Sequence, residues 1–385
     1  MKRVFILFST VALMFGTLFT SCDNAEYPVK DNSVYIAQAA LGSTGMIVAM
    51  ETAGANINIV VRLAKPADHD VEVELALAPD ALEAYNTAND AACLLLPSEH
   101  YQMDNKKVTI PAGEVSATLL VHVDNFDVQG KRYALPVVID KVVKGKVDKS
   151  TTQSTFVYLI AKPLITSVPV MRAIDNVGVR AQPYEPWGVK TAQWSLEVWI
   201  RMDGYTRNNQ CIFDNRDEIY IRFGDANGPY NYLQIKYLGD GGKETARDLV
   251  PNVWYHWTYV WDGNMLILYR NGEEDFRYIY PPPADGLIGF NELWWISSSP
   301  SYFYNNCSMS QMRLWSTAIS QNQIKNNMYF EVDPDDPNLI GYWPMNEGEG
   351  QIFHDISGNG HDAIASISGT SNTINRWEHN VRFDK

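Results

Sequence analysis

One short run could set carboxylates side by side: Glu331-Val332-Asp333-Pro334-Asp335-Asp336. Cleavage of a glycosidic bond uses two carboxyl groups about 5 to 9 Å apart, which alternate residues on one strand face could supply. Here Pro334 and Pro337 interrupt any central strand, and the run is acidic rather than alternating with apolar residues. It reads as a solvated loop. Glu197, Glu347 and Glu349 are scattered and receive no role. HExxH, GxSxG, Walker and CxxC signatures are all missing, so zinc peptidase, serine hydrolase, nucleotide and dithiol chemistries lack their local residues.

Binding asks for less: aromatic faces against the C–H faces of sugar rings, with polar groups to fix the hydroxyls. Trp199, Trp257, Tyr259, Trp315 and Trp343 sit inside strand patterns and read as core. The candidates for a ligand platform lie in turn-rich segments: Tyr184 and Trp187, Tyr230 and Tyr232, Tyr302 and Tyr304. The adjacent pair Trp294-Trp295 joins them, because consecutive strand residues face opposite ways and one can point out of the core. Alanine at Trp187 and Trp295 is expected to weaken glycan retention without lowering the melting temperature. Cys93, Cys211 and Cys307 show no metal-ligand spacing. Cys211 and Cys307 either pair or remain buried thiols, since spacing alone does not give Cα distances.

The chain opens with Lys2-Arg3, an uncharged apolar stretch from Val4 to Phe19, then Thr20-Ser21-Cys22 and a polar run. This is the pattern of a secretory signal, residues 1–21, and it is too short for the roughly 20 apolar residues that span a bilayer. Leu18-Phe19-Thr20-Ser21-Cys22 resembles the bacterial lipoprotein box, which implies acyl chains on Cys22 and durable membrane anchoring. Residues 22–32 then form a polar tether. The formal charge is −14, and loss of the two cations Lys2 and Arg3 with the signal takes it to −16. Such acidity disfavours nucleic acid and anionic lipid as partners.

The elements that must position these residues fall into two parts. All eleven tryptophans lie at or beyond Trp187, a composition shift that marks separate folding units. The expected domains are 33–162 and 163–385, parted where Pro163 and Pro169 fall in a stretch ill suited to a central strand. In the first, Ile57, Ile59, Val61 and Leu63 alternate with polar or smaller neighbours, as do Val71, Val73, Leu75 and Leu77; Val108 to Val123 reads as a hairpin, and Asp80 to Asn89 as one helix. In the second, strands are expected at Ser195–Met202, Tyr232–Tyr237, Trp254–Trp261, Met265–Arg270 and Leu339–Trp343, with hairpin turns at Asp262-Gly263 and Asn271-Gly272. Ser320 and Gln323 form a capping box for a helix over Gln321 to Asn327.

The run VTIPAGEVSATLLVHV (108–123) followed by KRYALPVVID (131–140) resembles the immunoglobulin-like N-terminal domain of Bacteroidetes lipoproteins labelled DUF1735. That resemblance implies a spacer or docking domain with no catalytic residues. SLEVWIRM (195–202), WYHWTYVWDGNMLILYRNG (254–272) and LIGYWPMNEGEGQIFHDISGNGHDA (339–363) resemble the laminin-G-like, concanavalin A-type superfamily, some of whose members are glucanases. In relatives the turn equivalent to Asp355-Ile356-Ser357-Gly358-Asn359 can hold a structural Ca²⁺, which carries over to Asp355 and Asn359 as oxygen ligands. The partner acidic pair of such relatives is here Ser310-Gln311, so a hydrogen-bonded turn is the competing reading.

The expectation is an all-β protein, an immunoglobulin-like β-sandwich followed by a concanavalin A-like jelly roll. It is non-catalytic and anchored by lipid to the outer membrane, where it binds polysaccharide or glycoprotein glycan within a glycan-uptake complex. An adhesion or scaffold protein and a divergent glycoside hydrolase are the alternatives.

Overall fold

A computed structural model describes residues 32–103, 106–174, 178–181, 186–216, 218–239, 241–365 and 373–383. Residues 1–21, expected to be a secretory signal, together with Cys22 and Tyr184 lie outside the described residues. No helix among them is long and apolar enough to cross a membrane.

Alternation builds the first sandwich. In Ala55–Leu63 every second side chain is buried, and in Val71–Leu77 the valines and Leu75 are inaccessible. One sheet runs in the order Asp148–Lys149, Ser33–Ile36, Ala55–Leu63, Ser116–Val123, Tyr101–Gln102; the other runs Gly45–Ala49, Thr155–Ala161, Tyr133–Lys144, Val71–Leu77, Lys107–Ile110. Their inner faces share one core from Val34 to Ile160. Helix α1, Pro79–Asn89, begins with proline in its first turn, where a missing N–H costs nothing, and ends on Asp90 in the left-handed region.

The second unit is also two sheets face to face, around a tryptophan-rich core that begins at Met171. The first runs Glu273–Ile279, Met265–Arg270, Tyr255–Trp261, Trp194–Met202, Cys307–Trp315, Ile165–Met171, Ile374–Arg382, with Leu339–Trp343 also pairing the Cys307–Trp315 strand. The second runs Lys243–Glu244, Leu233–Tyr237, Ile219–Phe223, Gln210–Asp214, Leu293–Trp295, Val179–Ala181, Ala363–Ile364, Ile352–Phe353. Trp199, Trp257, Tyr259, Trp315 and Trp343 are all buried. Pro169 corrects the reading of its stretch as unfit for a central strand: it lies in Ile165–Met171, between two partners. The Cys307–Trp315 strand pairs there only with Val170 and Met171, so the ladder does not ask Pro169 for an N–H on that side.

Helix α2, Gln321–Asn327, carries both halves of the capping box: Ser320 accepts from the Gln323 N–H, and Gln323 accepts from the Ser320 N–H. With its flanking loops it covers the outer face of the first sheet of this unit. Beneath it the buried Glu197 carboxylate accepts the Trp315 indole N–H at 3.0 Å and lies 3.6 Å from the Arg313 guanidinium, both charged side chains being inaccessible. The first sandwich docks on this same crossover. Ser320 donates to Asp90, Asn326 to the Asn89 carbonyl, and Arg132 to Asn327.

Cys93, Cys211 and Cys307 are free and buried, which resolves the pairing of Cys211 with Cys307 in favour of separate thiols. Burial pushes the Cys211 thiol up to about 12, so it is neutral at physiological pH.

Candidate functional site

One face of the second sheet of the jelly roll packs into the core through Val179, Ala181, Leu293, Trp295, Ile221, Ile235, Phe353 and Ala363. The alternate residues face outward, and cross-strand register sets them in a single row. Ile352 pairs with Ile364, Ile364 with Arg180, Arg180 with Trp294, Trp294 with Asp214, Asp214 with Tyr220, and Tyr220 with Lys236. A second row follows on three strands: Arg222 opposite Gln234, and Gln234 opposite Glu244.

Trp294 stands at the middle of the first row. The Arg180 guanidinium carbon is 3.5 Å from its ring centroid and that of Arg216 is 4.6 Å away. Arg180 comes from the strand on one side and Arg216 from just beyond the strand on the other. Arg180 and Arg216 thus reach the indole from the strands on its two sides, and each contact is a cation–π pair. Its N–H donates to Glu292 at 2.5 Å. Asp214 holds Arg216 twice, accepting its backbone N–H at 2.7 Å and its side chain at 3.3 Å. Burial raises the Asp214 pKa, against the pull of Arg216. In the second row Arg222 donates to Gln234 at 2.9 Å and pairs with Asp225 at 2.8 Å, while Gln234 donates to Asp225 at 2.8 Å.

Of the aromatic candidates, Trp295 and Tyr232 are 0% exposed and present no face to a ligand, which corrects their place on the platform. Trp295 falls on the inward beat of its strand and packs beside Trp343 at 5.6 Å. Tyr232 precedes a strand, is overlaid by Arg247 at 3.9 Å, and accepts the Asp225 N–H. Trp294 points outward, but two guanidinium groups lie over its ring. Trp187 is half-buried and stacks on His361 at 3.9 Å. Tyr230 packs against Gly224, whose φ of +68° no side chain would favour. Tyr302 and Tyr304 are 46% and 55% exposed, with Arg207 over Tyr304 at 5.7 Å. The structure therefore brings the candidates together only in part, and the arginines that organise the sheet face were missed. Their signal was present: Arg180, Arg216 and Arg222 occupy or follow outward beats of strands whose inward beats are apolar.

The calcium pair does not fit a metal. Asp355 is inaccessible, and its two oxygens accept from the Tyr342, Ser357 and His361 N–H groups and the Ser357 hydroxyl. Asn359 turns its amide nitrogen to the Leu339 and Ile340 carbonyls. Among the described residues no group of three or more His, Cys, Asp or Glu is gathered to hold a metal ion.

Residues 178–325 match the model of the concanavalin A-like lectin/glucanases superfamily, and residues 30–146 match the model of an N-terminal domain family. No curated protein matches the chain. Among solved structures it is similar to a Bacteroides ovatus protein described as a "putative carbohydrate binding protein", at 22% identity and a TM-score of 0.55 over 86% of this chain and 95% of that one. It is also similar to a heptameric SAP-like pentraxin from Limulus polyphemus, at 15% identity and a TM-score of 0.32 over 42% of this chain and 80% of that one. The first likeness shows a shared fold across both sandwiches.

Proposed function

We propose that this chain is a non-catalytic glycan-binding protein that presents its jelly roll to polysaccharide or glycoprotein glycan. One observation carries the reading: the outward face of the second jelly-roll sheet is a continuous row of aromatic, cationic and hydrogen-bonding side chains, where a solvated sheet needs only scattered polar ones. The match to a lectin and glucanase superfamily and the described character of the Bacteroides ovatus protein support it. Binding rather than cleavage is favoured because the two carboxylates beside Trp294 are engaged in holding the cluster, Asp214 with Arg216 and Glu292 with the indole.

In this reading residues 1–21 direct export, Cys22 carries the lipid and residues 22–32 tether the chain to the outer membrane within a glycan-uptake complex. The first sandwich, 33–162, is the spacer that holds 163–385 away from the bilayer. A glycan array on the purified chain tests the core claim. Retention of a defined glycan class is expected; retention of none, with capture of a protein partner instead, would replace it with an adhesion role. Release of reducing ends from a polysaccharide panel would show catalysis.

A further inference from the structure

The two sandwiches do not close completely on one another. Between them lies a cavity of about 460 Å³, inside the roughly 300–1,000 Å³ range of small-molecule sites, which favour domain interfaces. One wall comes from the first sandwich, through Asp90 to Ala92, Leu94 and Gly130 to Arg132; the other comes from the jelly roll, through Trp315, Thr317, α2 and the loop around Asp335. Gly130 sets their spacing: its φ is +71°, and a Cβ there would stand 2.2 Å from the Val332 carbonyl oxygen, so a side chain would push the walls apart. The apolar part of the lining is Trp315, Ile319 and Val332, from one buried cluster, together with Leu94, which is 47% exposed. The polar part is a set of side chains held at one end and unengaged at the other. Gln323 accepts the Ser320 N–H through Oε1, which leaves Nε2; Asn327 accepts from Arg132 through Oδ1, which leaves Nδ2. Asn326 donates to the Asn89 carbonyl and Asn338 to Asp336, each leaving Oδ1. The Asp335 carboxylate has no partner among the described residues; only its N–H is bonded, to Asp333.

We propose that this seam is a glycan subsite that takes an uncharged sugar residue, and that the first sandwich is one of its walls and not only a spacer. The inference rests on the glycan-binding reading and adds to it a site and a substrate class. Donors and acceptors fixed by the fold beside apolar surface suit a pyranose, whose hydroxyls both give and take hydrogen bonds and whose C–H faces prefer apolar contact. The run from Glu331 to Asp336, set aside as a catalytic pair, supplies three of the lining carboxylates. Asp90, Asp333, Asp335 and Asp336 outnumber the cations Lys131 and Arg132 around the cavity, so a sugar bearing its own carboxylate is disfavoured.

The test is saturation-transfer NMR on the purified chain, with the methyl glycosides of glucose, galactose, mannose, N-acetylglucosamine, xylose and fucose as probes and galacturonate as the charged control. Saturable binding of at least one neutral glycoside is expected, with galacturonate at least tenfold weaker. Ala92→Trp, at an exposed position of the first sandwich, puts a bulky ring into the cavity without touching the jelly roll, and should reduce that binding at least tenfold. Asp335→Ala removes one charge-assisted hydrogen bond and should reduce it about tenfold. Asp335 is exposed and its side chain holds nothing else, so this variant keeps the parent melting temperature and carries the test if the tryptophan variant does not. Binding left unchanged in either variant that melts like the parent overturns the seam site. Binding of none of the glycosides, while the array retains a glycan, also overturns it and leaves glycan binding standing. Galacturonate held as tightly as the best neutral glycoside overturns the choice of uncharged sugars. Failure of the probes and the array together sinks the broader reading as well.

Discussion

Arg132 of the first sandwich donates from Nη2 to the Asn327 side chain of α2 at 2.7 Å, across 195 residues of sequence. It also lies over the Phe330 ring at 5.5 Å, and burial pulls its pKa down. Hydrogen bonds to a charged group contribute about 1.5–3 kcal/mol, so Arg132→Ala should weaken docking by roughly that amount. Scanning calorimetry is expected to show the two sandwiches melting further apart than in the parent. Arg132→Lys should not restore the parent trace, because an ammonium lacks the planar fork. An unaltered trace for the alanine variant would show that the seam does not depend on this contact.

Glu197 and Arg313 form a buried pair with 0% side-chain exposure on both sides. Removing one partner strands the other charge without solvent, which costs about 3–5 kcal/mol. Glu197→Ala also takes the acceptor from the Trp315 indole. Urea unfolding should show a loss in that range for Glu197→Ala, and a smaller loss when Arg313→Met is added to Glu197→Leu. A double variant no better than the single would mean that packing, not charge, explains the loss.

His256 is buried against Trp199, and its pKa lies well below the ordinary 6.5, first through burial and then through repulsion by Arg313. The folded chain resists the proton that the unfolded chain accepts. The contribution of His256 is therefore flat above pH about 6.5 and falls as pH drops below it, by up to about 1.4 kcal/mol per unit. The lowered His361 adds in the same direction. Urea midpoints at pH 7.5 and 5.5 measure the slope, and His256→Gln should flatten part of it; an identical slope in that variant would place the effect elsewhere.

Much of the scaffold was legible because period and turn chemistry are local. Ser116 to Val123, Met265–Arg270, Leu339–Trp343 and α2 fall where alternation and the capping box put them. The site was less legible. Which of Trp294 and Trp295 points outward depends on the phase of the strand relative to the core, and adjacency alone does not give phase. Tyr232 is buried because Arg247, fifteen residues later, folds back over it, a contact with no local trace. The arginine pair on Trp294 needs two strand registers and one left-handed residue at once, all of them tertiary facts.

Trp295 tests that distinction of phase. It is inaccessible and packs on Trp343, and Trp→Ala in a core costs about 3–5 kcal/mol. Trp295→Ala should therefore lower the melting temperature strongly, contrary to the expectation drawn from sequence. Trp294→Ala, half-exposed, should lower it much less while releasing the two arginines. Similar losses for both would mean that Trp294 supports the sheet more than it organises its surface.

Asp355 separates a metal site from a structural turn. Its carboxylate accepts three backbone N–H groups and one hydroxyl, at 2.7 to 3.0 Å, and thereby ties the turn to the Leu339–Trp343 strand and to His361. Gly358 and Gly360, both at φ +78°, let the chain double back so that these donors converge. With both oxygens committed, calcium would have to displace donors that have no other acceptor, and each such loss costs about 1.5–3 kcal/mol. A chelator should leave the melting temperature where it was. Asp355→Ala should lower stability by about 3 kcal/mol or more, and Asp355→Asn should recover only part of it, since an amide nitrogen would face the His361 N–H. If calcium instead raised the melting temperature of the parent and did nothing for Asp355→Ala, the carboxylate would be a ligand after all.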